Sequence, residues 1–156
     1  MYLLQGKRQV PLGYEMNAHP ASTVVDLNRA IDTFVVPVRD KVCPGEPFAI
    51  APHIGQKLAS ELRKKGVAES VGDRLRDLDL HPYTVNAFPL KDFHARRVKE
   101  QVYLPSWAHT ERASVTCRIA DVFIRMTPQA NNVSIPPMGG GYPSAGTTPG
   151  GHQNTE

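Results

Sequence analysis

Cysteine is scarce in this chain: Cys43 and Cys117 are the two in 156 residues, and they stand far apart. That count excludes a disulfide framework and the CxxC spacing of a structural zinc site, so both are expected as buried, reduced thiols. Long apolar runs are missing as well. No stretch reaches the roughly 20 apolar residues of a membrane span, and the opening Met1-Tyr2-Leu3-Leu4-Gln5-Gly6-Lys7-Arg8 has no signal-peptide core. Membrane insertion is therefore not expected, and a cytoplasmic location is. Nor is there an excess of one charge. Lys and Arg number 18 against 15 Asp and Glu, for a net charge of +3, and the basic residues are interspersed with acidic ones. An isoelectric point near 9.0 without a basic run gives no ground for nucleic-acid binding. The sequence also lacks a Walker loop, GxGxxG, HExxH and GxSxG. Regular motifs thus define no reaction.

What is present is enough apolar material, 40% of residues against 21% charged, for the core of one domain. Residues 12–18 form a short apolar stretch ending at His19-Pro20, which predicts a buried strand and a turn. Thr23 and Asp26 then stand at capping-box spacing, and Val24, Leu27, Ile31, Phe34, Val35 and Val38 recur at helical intervals. Pro37 should kink or close that helix. A second strand is predicted over 48–54 and a helix over 56–65, closed by Gly66. Val67, Val71, Leu75 and Leu78 extend a further helical stripe up to Leu80, and residues 82–88 read as a third strand. Residues 89–109 show no period, and a loop of that length is disproportionately functional. Thr110 is placed to cap a last helix, with Val115, Ile119, Val122, Phe123 and Met126 on its buried side, and residues 132–135 begin a fourth strand.

Strands alternating with helices in this order call for a parallel sheet with right-handed crossovers. The composition changes at Pro136, after which glycine alternates with Pro, Ser, Thr and Asn. Residues 1–135 are therefore expected to fold, and 136–156 to be a disordered low-complexity tail.

In parallel α/β architectures the reactive groups collect at the carboxyl ends of the strands. That rule selects Asn17 and His19, His53, Asn86, and the polar members of the long loop. His19 before Pro20 suits a turn as well as it suits proton transfer, and His53 reads as a structural histidine. Arg96, Arg97 and Lys99 have the look of a solvated face, and Tyr103 and Trp107 of anchors pinning the loop. Asn86 stands out, because an amide inside an otherwise apolar strand must find partners or cost stability.

Beyond these rules, Gly13-Tyr14-Glu15-Met16-Asn17-Ala18-His19-Pro20 resembles the Y-C-T-N-x-H-P strand end of the EboE family of metabolite-traffic proteins, xylose-isomerase-like (β/α)8 barrels. Tyr83-Thr84-Val85-Asn86-Ala87-Phe88-Pro89, then Phe93-His94, then residues 97–107 ending in Tyr103-Leu104-Pro105-Ser106-Trp107, are similar to that family's signature. Glu15 and Met16 stand where the family has Cys and Thr.

The resemblance implies the N-terminal half of a TIM barrel, about four parallel strands with crossover helices, in a truncated or frame-disrupted product, since a whole barrel takes about 250 residues. It implies a parent that handles a small metabolite, sugar-like or prenylated, as a metal-dependent sugar or sugar-phosphate isomerase or epimerase. Any divalent metal there would be held by later strands that this chain does not contain. His19 and His94 become candidates for proton transfer. Asn17 and Asn86 would contact substrate hydroxyls, and Arg97 or Lys99 an anionic group. Two other readings stay open: a non-catalytic metabolite-binding module, and an inactive fragment that self-associates through open sheet edges.

Overall fold

The computed structural model describes residues 2–19, 21–87, 103–130 and 132–136. The expected tail and most of the long loop, with His94, Arg97 and Lys99, lie outside these residues. The chain opens with a hairpin that periodicity did not indicate, β1 (Tyr2–Gln5) paired antiparallel with β2 (Arg8–Pro11). Its tight turn uses Gly6 at φ +63°, a conformation that a side chain resists.

Three parallel strands follow in consecutive order: β3 (Gly13–Glu15), β4 (Phe48–Ala51) and β5 (Leu80–Pro82). Thr84 bridges in parallel to Ser134, so the segment at 132–136 lies next in the same succession. The α/β class and the order of the strands follow the sequence expectation. Among the described residues the sheet is open, and they do not by themselves make a barrel.

Between the strands run α1 (Val24–Ala30), a π-helical turn (Ile31–Val35), α2 (Val36–Val42), α3 (Gln56–Leu62), α4 (Val67–Asp77) and α5 (Thr110–Met126). Thr23 closes the anticipated capping box, its Oγ1 accepting from the Asp26 amide while its own amide donates to Asp26 Oδ2. A second cap comes from across the fold: Glu61 Oε2 on α3 accepts from the Val24 amide at 2.8 Å. The helices bury Leu27, Ile31, Leu58, Leu62, Val71, Leu75, Ile119, Val122 and Phe123 against Phe48, Ile50 and Leu80 of the sheet.

Several local expectations need correction. Phe34 was assigned to the buried face of the first helix but is 45% exposed. The cause is the π turn, in which the Val36 amide reaches back to the Ile31 carbonyl and an extra residue rotates Phe34 outward. Pro37, without an N–H, sits at the start of the helix that resumes after that turn. Cys43 is buried as expected, but Cys117 lies on the outer side of α5 and is exposed. His109, not Thr110, occupies the N-cap of α5, and its side chain makes no capping hydrogen bond. Leu80 begins β5 instead of ending a helix.

Candidate functional site

Side chains alternate across a strand, so β3 sends Tyr14 to one face and Gly13 and Glu15 to the other. Register carries the pattern over: Tyr14 opposes Ile50, on the helix-covered face, while Gly13 and Glu15 oppose Ala49 and Ala51. The opposite face is thus built from small residues, Ala51 among them fully buried, with one carboxylate at its carboxyl end. Tyr83 from the third strand reaches across this face to Gly13, where a Cβ would run into its ring.

The third strand contains one residue too many. Ile50 opposes Pro82, but His53 opposes Asn86, so three steps along one strand match four along the other. The hydrogen bonds show the same slip, with Tyr83 N donating to Ile50 O and Asn86 N to Pro52 O. This is a β-bulge, and it reverses the parity of the strand. Leu80 faces the core before it; Val85 and Ala87 face the core after it. Without the bulge, Asn86 would share the face of Leu80.

Turned by the bulge, Asn86 meets the end of β3. Its Nδ2 donates to Glu15 Oε2 at 2.5 Å and to Asn17 Oδ1 at 3.0 Å. Two acceptors on the same nitrogen settle the orientation of the amide, since Oδ1 would be repelled there. Asn86 is buried and its main chain is also secured, by Pro52 O and the Ile54 amide. Asn17 itself sits in the short 3₁₀ turn Met16–Ala18 that directly follows β3. Burial, and then the charge of Glu15, push the Tyr83 phenol above its ordinary pKa.

His19 belongs to a second constellation. The Tyr14 hydroxyl lies 2.6 Å from His19 Nε2, and the imidazole stacks on Phe34 with centroids 4.2 Å apart and planes 7° from parallel. Burial lowers its pKa. The hydrogen bonds thus join Asn17 with Asn86, and His19 with Tyr14, in two separate groups. Sequence reasoning missed Glu15 and Tyr83, and it set His53 aside although the bridge to Asn86 puts it beside the cluster. The available signal was the alternation at positions 13 and 15.

Glu15 accepts hydrogen bonds from hydroxyls, Tyr83 supplies a protonated phenol, and Asn17 and Asn86 are amides held in place. That inventory suits recognition of a polyol. A divalent cation fits it poorly: among the described residues no three His, Cys, Asp or Glu side chains converge, and Glu15 is already engaged by an amide. No helix among the described residues is long and apolar enough to cross a membrane. No family model matches the chain, and no curated protein or solved structure matches it at a significant level.

Proposed function

We propose that this chain is part of a xylose-isomerase-like barrel of the EboE kind, and that it binds a small, hydroxyl-rich metabolite at the carboxyl ends of its parallel strands. Consecutive parallel pairing of β3, β4 and β5, continued by the Thr84–Ser134 bridge, supports the barrel segment. One observation carries the binding site: Asn86 Nδ2 ties Glu15 and Asn17, from the first strand end, to the third. Such a network fixes polar groups in advance of a ligand, which lowers the ordering cost of binding. Glu15 and Asn17 would contact hydroxyls, and Asn86 would hold both in place as a positioning residue. His19 and His94 remain the proposed proton-transfer pair of the intact barrel, and Arg97 and Lys99 its anion contacts.

The test is binding of D-xylose and D-ribose to the full chain, followed by thermal shift and calorimetry. Saturable stabilisation is expected. Asn17→Ala should weaken binding about tenfold, equivalent to one polar contact of about 1.4 kcal/mol. Asn86→Asp, which sets a second carboxylate against Glu15, should weaken it further. Absence of saturable binding by either sugar to a folded sample rejects the reading.

A further inference from the structure

Arg112 lies in the first turn of α5 and is 2% exposed. Side chains on a helix lean toward its N-terminus, and this one folds back until its Cζ lies 5.6 Å over the ring of Trp107, in the turn that leads into the helix. Nη1 is shielded from solvent and has no hydrogen-bond partner among the described residues. A guanidinium does not shed its proton near neutral pH, so a buried one with an unanswered N–H is a standing electrostatic cost. The N-terminus of α5, which the His109 side chain does not cap, adds partial positive charge at the same place, offset in part by the Glu111 carboxylate of the same turn.

α5 connects β5 to the segment that bridges in parallel at Ser134, so it runs antiparallel to the strands. Its first turn therefore stands at the carboxyl end of the sheet, the end that also carries Glu15, Asn17 and Asn86. We infer that Arg112, with Trp107 behind it and the α5 N-terminus beside it, is a binding site for a phosphate group. Phosphate offers several acceptor oxygens, enough for a guanidinium fork together with the amides of Thr110 and Glu111, the Arg112 amide being already given to the His109 carbonyl. The site does not rest on the polyol reading, and either can fail alone.

The full chain is titrated with inorganic phosphate at constant ionic strength, chloride serving as the balancing anion. Trp107 is the single tryptophan, so its emission reports directly on the site. A saturable change is expected, with affinity reduced at least about tenfold in Arg112→Met and less in Arg112→Lys. In phosphate-free buffer Arg112→Met should melt at or above the wild-type temperature, because a buried charge whose Nη1 has no partner among the described residues has been removed. Ribose 5-phosphate binding more tightly than inorganic phosphate identifies an ester as the ligand, and equal affinity identifies the free ion; both uphold the site. No saturable signal through the tens of millimolar, an Arg112→Met affinity within twofold of wild type, or a marked fall in its phosphate-free melting temperature would each overturn the inference.

Discussion

The His19 ring is held on two sides, by the Tyr14 hydroxyl at Nε2 and by the face of Phe34. In the Nδ1–H tautomer of the neutral ring Nε2 accepts from the phenol, and in the other tautomer it donates to the phenol oxygen. Its folded pKa lies below the ordinary value of 6.5. Between the two values the unfolded chain binds more protons than the folded one, so stability rises with pH across that window. The contribution is complete above the unfolded pKa and is lost as pH falls through the folded one. Urea unfolding should therefore show declining stability as pH falls below the ordinary value of 6.5, and His19→Gln, which keeps a polar side chain but cannot titrate, should flatten that decline. An unchanged pH dependence in the variant would place the titration elsewhere.

At the scale of elements, the contact between α4 and α5 turns on Gly72. Glycine in the middle of a helix costs about 1 kcal/mol relative to alanine, so propensity alone favours Gly72→Ala. Packing argues the other way: a Cβ at this position would run into the main-chain carbonyl of Met126 on α5. A backbone cannot swing aside as a side chain does, and overpacking of this kind costs about 1–3 kcal/mol. The expected net effect is destabilisation by up to about 2 kcal/mol, read from the urea midpoint at unchanged slope. A gain in stability would mean that the helices separate easily.

The same scale shows what could be read in advance. The capping box at Thr23, the buried face of α5 and the alternation of strands with helices were legible, because each depends on residues close together in the chain. The position of Phe34 was not, since a π turn shifts helical phase without leaving a signature in the apolar period. Asn86 was singled out correctly as an amide in need of partners, but its partners were hidden: the bulge before it depends on pairing with β4.

For the molecule as a whole, the sheet sets the behaviour. Among the described residues β3 is bonded on one side only, by β4, which leaves a row of edge amides and carbonyls. A net charge of +3 offers little repulsion between copies. Self-association through this edge should therefore grow with concentration, visible by sedimentation velocity as a rising mean mass. A monomer of constant mass across the accessible range would show that the edge is covered.

The amino-acid sequence by itself determined the main helices and the alternation of strands with them, though not the opening hairpin or the start of β5, and it showed the need of Asn86 for hydrogen-bond partners. Those follow from local propensity, capping and periodic burial, all of which act within a few residues. Only the tertiary structure decided that Glu15 is hydrogen-bonded to Asn86, that His19 belongs with Tyr14 and Phe34, and that Arg112 is buried with an N–H that has no partner among the described residues. Strand register and helix packing bring together residues as many as 71 positions apart, as for Glu15 and Asn86. No local pattern encodes a contact over that separation.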